Sequence, residues 1–203
     1  PAFSGTFEIS IQGATSGASM QKGLHVIGRA DQGTDAARHP LFAPTDFRAN
    51  RLAEFKRFIL RAWGSARNWP VFFADAYHQS LAATTDLELQ AYRPAVVFIN
   101  GEYWGLHAIR EANKNSWYHE AHTGIDRDDP GYDLIEGGAA EVDEGDAVHW
   151  NETMAYIATH DLADDAAYDH VATRIDVGNF TDYVIHCVFT GKRDWPDQNE
   201  AKW

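Results

Sequence analysis

An α+β fold is expected of this chain, with a mixed β-hairpin and helix N-terminal half and a mainly helical C-terminal half. Three observations lead there. Short runs with period-two alternation or β-rich composition occur before residue 112. Asn100-Gly101 sits between two such runs and marks a tight hairpin turn. From about residue 147 onward, apolar residues recur at helical spacing between recognisable caps.

The elements follow in order. Phe7-Glu8-Ile9-Ser10-Ile11 alternates and reads as a strand. A small, glycine-containing stretch from Gln12 to Ser19 follows, then Lys22 and a second strand, Leu24-His25-Val26-Ile27. Such a connection brings backbone N–H groups close to phosphates, with Lys22 beside it as a point charge. Taken by itself, the stretch reads first as an ordinary hairpin connection. Its glycines do not follow the P-loop pattern. Residues 30–46 are polar and read as loop. The spacing of Leu52, Phe55, Phe58, Ile59 and Trp63 predicts a helix over 48–63, stopped by Gly64. Trp69-Pro70 opens a second helix with Phe72, Phe73, Ala76 and Tyr77 as its apolar face. Ala95–Ile99 and Tyr103–Ile109 are the arms of the hairpin, which ends at Arg110-Glu111.

Beyond the hairpin, residues 113–122 form a short helix. Its His119 and His122 lack the H-E-x-x-H zinc spacing. Asp126 to Gly131 is an acidic, turn-rich loop, and Tyr132–Ile135 a short strand. Residues 137–146 are glycine- and acid-rich and read as a mobile, solvated loop without the order of a calcium loop. Helices are predicted over 147–160 and 164–173. Asp176 caps a last helix in which Phe180, Tyr183, Val184, Cys187 and Val188 form a stripe expected to be buried, and Gly191 ends it.

Composition narrows the function. The 203 residues suit one domain, spanning 1–203. Within it, 1–111 is the β-containing half and 112–203 the mainly helical half. A formal charge of −13 argues against a general nucleic-acid binder and allows a divalent metal or a basic partner. No apolar run reaches the roughly 20 residues of a membrane-spanning helix. The single Cys187 excludes an internal disulfide and reads as a small buried hydrophobe. The chain opens on Pro1, so a processed or partial sequence is expected.

The loop after the last helix, Lys192-Arg193-Asp194-Trp195-Pro196-Asp197-Gln198-Asn199, carries the sharpest chemical signal. An Asp followed five positions later by an Asn is the pattern of a protein kinase catalytic loop. There the Asp takes or orients the proton of the substrate hydroxyl, and the Asn reaches a metal that bridges the nucleotide phosphates. A packed helix before the loop would hold it rigidly.

Several stretches then resemble, in order, the CotH-type kinases, an atypical protein-kinase-like group related to spore-coat protein H. Gly13 through Lys22 and Leu24 look like that family's Gly-rich loop and Lys-containing strand. Phe58–Gly64 resembles its hydrophobic-Leu-Arg motif, and Phe73-Ala74-Asp75-Ala76 its Phe-Arg-Asp motif with the Arg replaced. Val97–Gly105, followed by Arg110-Glu111, is the most specific match. Ile175–Tyr183 and Asp194–Asn199 close the series.

The resemblance covers nearly the whole chain and implies an atypical protein-kinase-like fold. The implied activity is phosphorylation of protein Ser or Thr hydroxyls with ATP and Mg²⁺ or Mn²⁺. Asp194 would be catalytic and Asn199 a metal ligand. Gly13, Gly17 and Lys22 would lie on the nucleotide, and Glu111 would pair with Lys22. An extracytoplasmic, cell-surface or spore-associated location is implied by the resemblance alone.

This chain also departs from the pattern. Gln12 and Ser16 stand where the family's loop has an Arg, and Lys192 replaces an Asn. A second metal-binding Asp belongs to a later motif, beyond Trp203, so this piece is expected to be weakly active or inactive as it stands. Two other readings compete. One is a pseudokinase or extracellular adhesion module using its many aromatics. The other is a metal hydrolase built on His119 and His122, for which the sequence offers no coherent ligand set.

Overall fold

The computed structural model describes residues 3–13, 17, 20–43, 52–62, 73–129, 131–136 and 141–192. The chain divides into two compact units. One comprises Pro1–Ala83 with Glu88–Asn113, the other Thr84–Leu87 with Lys114–Trp203.

The first unit is built on one antiparallel sheet. Its strands are β1 (Phe7–Gln12), β2 (Gly23–Gly28), β3 (Arg57–Arg61), β4 (Tyr92–Ile99) and β5 (Glu102–Glu111), in the order β1-β2-β3-β5-β4. Helix α1 (Ala74–Leu81) lies between β3 and β4 in sequence. Directly paired residues share a face of a sheet, so the register sorts the side chains. Leu24, Leu60 and Ile109 stand level, as do Val26, Phe58 and Glu111. Val26 and Phe58 join Ala37, Leu41, Phe42, Phe55 and Ala91 in the core, with Leu60 and Ile109 packed against it. Truncating a buried Phe here to Ala would cost ~3–5 kcal/mol.

The helix expected over 48–63 does not form where the structure describes it. Residues 52–54 are irregular, Phe55 makes a bridge with Ala37, and 57–61 are strand β3. The reason is the position of β3 between β2 and β5. A central strand buries both faces, and Phe58 and Ile59 are both about 7% exposed. Such a strand is a continuous apolar run, which spacing alone does not separate from a buried helix. Trp63, Gly64, Trp69, Pro70 and Phe72 lie outside the described residues. Helix α1 also differs from its expected face: Ala76 is buried, but Phe73 and Tyr77 are exposed.

The β4–β5 hairpin forms as expected. Asn100 (φ 53°) and Gly101 (φ 83°) both take left-handed backbone, as a type I′ turn requires. The register shifts between Val97 and Phe98, which pair with Gly105 and Tyr103, so Trp104 is the extra residue of a bulge in β5.

In the second unit, α2 (Ser116–Thr123) starts at Asn115, whose side chain accepts from the Tyr118 N–H. Strands β6 (Leu134–Glu136) and β7 (Glu141–Glu144) pair antiparallel. The loop expected over 137–146 is therefore part strand. Glu141 and Asp143 stay exposed, Glu144 is half-buried and accepts from the Ser116 N–H at 3.0 Å, and β7 pairs with the buried Leu134 and Ile135. Then follow α3 (Val148–Thr159), α4 (Asp165–Ala172) and α5 (Val177–Thr190). Asp164 and Asp176 cap α4 and α5 by accepting from N–H groups of the first turn. Arg174 ties two of these helices together, donating to Thr153 Oγ1 (3.0 Å) and Glu152 Oε2 (2.8 Å) on α3. The expected stripe of α5 is only partly buried. Cys187 is buried, but Phe180 and Val188 are exposed, as are Ile185 and Phe189. The helix is apolar on most of its circumference, so spacing alone did not identify the side that packs.

Candidate functional site

The β1–β2 connection begins with Gly13 at φ 81°, a left-handed conformation that suits glycine. Lys22 lies just before β2. Its Nζ donates to the Gly17 carbonyl at 2.7 Å, so the lysine folds back over its own loop. The loop's return is fastened to β5. His107 is fully buried, and its Nε2 lies 2.9 Å from the Lys22 carbonyl. A carbonyl oxygen only accepts, so Nε2 carries the hydrogen. Nδ1 then accepts from the Gln21 amide, 3.4 Å away, and that amide also donates to the Leu106 carbonyl at 2.7 Å. Gly105, at φ 132°, makes room for this contact, because a Cβ there would collide with the Gln21 amide. Beside it an open cleft of about 340 Å³ is lined by Met20, Gln21, Tyr103, Trp104, Gly105 and Leu106.

Glu111 is not brought to Lys22. It stands level with Phe58 and Val26, and Val26 lies four residues beyond Lys22 along the strand, about 13 Å at roughly 3.3 Å per residue. Its carboxylate, 2% exposed, accepts from the Ala91 N–H at 2.8 Å. Its carbonyl accepts from Gln90 Nε2 at 2.6 Å. Glu111 therefore fixes the chain entering β4 against β5.

A different charged group does assemble. Arg110 is level with Ile59, and Arg61 with Ala108, so Ile59, Arg61 and Arg110 share the face opposite Phe58 and Glu111. Asp75 of α1 meets both guanidiniums. Its Oδ2 is 3.2 Å from Arg110 Nη2 and 3.8 Å from Arg61 Nε. Its Oδ1 accepts from Gln79 Nε2 at 3.4 Å. Arg110 is 1% exposed, whereas the Arg61 and Asp75 side chains are 38% and 40% exposed. Burial pushes the Asp75 carboxyl up, but Arg61, Arg110 and the Gln79 amide outweigh it and hold the group below the ordinary aspartate value. Sequence reasoning missed this cluster. Its members lie in three of the stretches quoted for the resemblance, Phe58–Gly64, Phe73–Ala76 and Arg110-Glu111. The helix assigned over 48–63 hid that Arg61 and Arg110 stand on one sheet face.

Asp194 and Asn199 lie outside the described residues. The helix that precedes them has a defined end. Gly191 is left-handed (φ 63°), its N–H bonds to the Val188 carbonyl at 3.2 Å, and the Lys192 N–H bonds to the Cys187 carbonyl at 3.0 Å. This Schellman arrangement satisfies the last carbonyls of α5. Among the described residues no group of three or more His, Cys, Asp or Glu is placed to hold a metal. His119 and His122 instead pack around the Tyr118 ring, at 5.3 and 4.5 Å between centroids.

Comparison with known families gives a match to the family described as CotH kinase protein over residues 9–203. No curated protein and no solved structure matches. The chain belongs to the CotH kinase family.

Proposed function

We propose that this member of the CotH kinase family is an ATP- and divalent-metal-dependent protein kinase acting on Ser or Thr hydroxyls. Family membership carries the reading, and the first unit supports it. A glycine-containing connection joins β1 to β2, a helix lies between β3 and β4, and the sheet order is β1-β2-β3-β5-β4. These are the parts an atypical kinase-like N-terminal lobe needs: a backbone loop for phosphates and a helix that presents an acid to the third strand. When bound, the metal ion would neutralise charge on the phosphate oxygens.

The residues of this chain have the following roles in the proposal. Asp194 accepts or orients the proton of the attacking hydroxyl, and Asn199 holds the metal. Gly13, Gly17 and the folded-back Lys22 form the loop over the phosphates. His107 and Gln21 keep that loop attached to β5. The test is transfer of labelled γ-phosphate to a Ser-rich protein with Mg²⁺ or Mn²⁺. Asp194→Ala is expected to lower the rate about 10²–10⁴-fold, the usual worth of a positioned general base. Undiminished transfer by that variant would sink the assignment.

The second reading is a binding module without phosphotransfer. It is favoured by exposed Phe98, Tyr103 and Trp104 on the hairpin, where Phe98 and Tyr103 make an edge-to-face pair at 5.9 Å. Nucleotide titration separates the two: a binding module of this kind would take up protein or sugar and leave MgATP unbound.

A further inference from the structure

We propose that β4, an edge strand of the sheet, pairs with β4 of a second copy of this chain, so that two five-stranded sheets join into one. This pairing does not depend on the kinase reading. β4 stands at one end of the sheet order, and among the described strands only β5 pairs with it. The turn decides which of its backbone groups are left over. In a two-residue hairpin the flanking residues, Ile99 and Glu102, exchange both hydrogen bonds. Alternation from there puts Val97, Ala95 and Arg93 in bonded pairs with β5, and the bulge keeps this phase because Val97 faces Trp104 and Gly105 together. Phe98, Val96, Pro94 and Tyr92 then direct their backbone groups outward. Pro94 has no N–H to offer there, and that is where an edge strand tolerates proline. Val96 and Phe98 keep both an N–H and a carbonyl on the open edge.

The side chains of this edge call for an apolar cover. Val96 (55% exposed) stands level with Leu106 (39%), and Phe98 (61%) with Tyr103 (63%). Edge strands that stay single are commonly guarded by charge. Between Arg93 and Glu102 this one has no charged residue. In a chain of formal charge −13, the stretch from Tyr92 to Trp104 holds one cation and one anion and is neutral. Two such acidic molecules can meet here without like charges touching.

One antiparallel register satisfies these groups. With Val97 on the two-fold axis, Val96 of each copy faces Phe98 of the other, and the outward N–H groups of both residues find carbonyls in both copies. Leu106 and Val96 of one copy then continue into Phe98 and Tyr103 of the second copy as an apolar row across four strands. The symmetry makes a second, identical row. Arg93 comes beside the turn of the second copy, toward its Glu102, so opposite charges approach at both ends of the pairing. Sliding the register to set Val96 against Val96 would put Pro94 opposite Phe98 and leave the Phe98 carbonyl without a donor. The edge itself supplies the matching row and the opposite charge, which favours a second copy over an unrelated extended peptide.

The test is sedimentation equilibrium of the full chain over a concentration series, in ~0.15 M salt, where repulsion beyond about 8 Å is screened. The contact is small, so a weak, concentration-dependent dimer is expected. Val96→Pro removes an outward N–H and no bond to β5, and should raise the dissociation constant about tenfold or more. Glu102→Arg should weaken the dimer severalfold, and adding Arg93→Glu to it should restore association. Ile9→Thr, on the opposite edge strand β1, removes an exposed apolar side chain and should change nothing. Thermal melts establish that each variant is folded, and Val96→Lys, which places a charge on the edge, carries the test if Val96→Pro is not. A wild type that stays monomeric throughout overturns the proposal. If its β4 amides are then protected from hydrogen exchange only when an extended apolar peptide is added, the edge belongs to that partner instead. A dimer left intact by the folded Val96 variant also overturns the proposal, because the copies then meet elsewhere.

Discussion

Asp75 is the residue on which the first unit's electrostatics turn. Its carboxyl is held below the ordinary aspartate value of 3.8 by two guanidiniums and an amide, against the opposing pull of burial. A carboxyl whose folded value is depressed binds its proton more readily in the unfolded chain. Its contribution to stability is therefore complete above 3.8 and is lost as pH falls through the lower, folded value. The melting temperature of the wild type should drop more steeply below that point than the melting temperature of Asp75→Asn. Parallel curves for the two proteins would show that Asp75 is not the group responsible. Asp35 behaves differently. Its carboxyl is pulled down to about 2 by a two-pronged contact with Arg38, both arms at 2.7 Å, but the pair is in the open. Salt screens it, so raising ionic strength should remove the Asp35 share of the acid transition before the Asp75 share.

At the scale of elements, β3 governs the first unit. It pairs on both sides, buries side chains on both faces, and ends on the arginine that meets α1. The packing around its neighbour β2 leaves no slack. A Cβ added at Gly28 would collide with the backbone of Asp35 and Ala36, which cannot move aside as a flexible side chain can. Gly28→Ala should destabilise the protein by about 1–3 kcal/mol, measured by denaturant unfolding. A loss below about 0.5 kcal/mol would mean the approach is looser than the structure has it.

This is also where the sequence was only partly readable. The β4–β5 hairpin was legible because Asn100-Gly101 demands one turn geometry. The ends of α4 and α5 were legible because Asp164, Asp176 and Gly191 cap by local chemistry. β3 was not, because Leu52, Phe55, Phe58 and Ile59 satisfy a helical spacing that the tertiary setting overrides. The Arg61–Asp75–Arg110 cluster was lost with it, since strand pairing creates that cluster and no spacing along the chain announces it. β7 was missed because its residues Glu141-Val142-Asp143-Glu144 are mostly acidic and largely exposed, so no apolar alternation marks the strand. Asp194 and Asn199 rest on family and spacing, with no described geometry beside them.

Taken whole, the chain carries a strong formal negative charge, −13. Such a field draws cationic partners and repels anionic ones, and it weakens as salt shortens the screening length from ~10 Å at 0.1 M to ~3 Å at 1 M. With the kinase reading, a Ser-containing peptide flanked by Lys and Arg should be phosphorylated faster than one flanked by Asp and Glu. The difference should shrink at high salt. Equal rates at low ionic strength would show that overall charge does not steer substrate to this protein.

The second unit includes a short stretch that precedes β4. Residues 84–87 belong with the C-terminal residues, and the Asn179 side chain of α5 donates to the Asp86 carbonyl at 2.8 Å. The two units are thus not two consecutive lengths of chain. A protein cut after Asn113 would carry residues 84–87 away from the helix that holds them, and the remainder would keep an asparagine amide with its acceptor gone. Neither half can be lifted out by a single cut, so each is best examined by substitution in the intact chain.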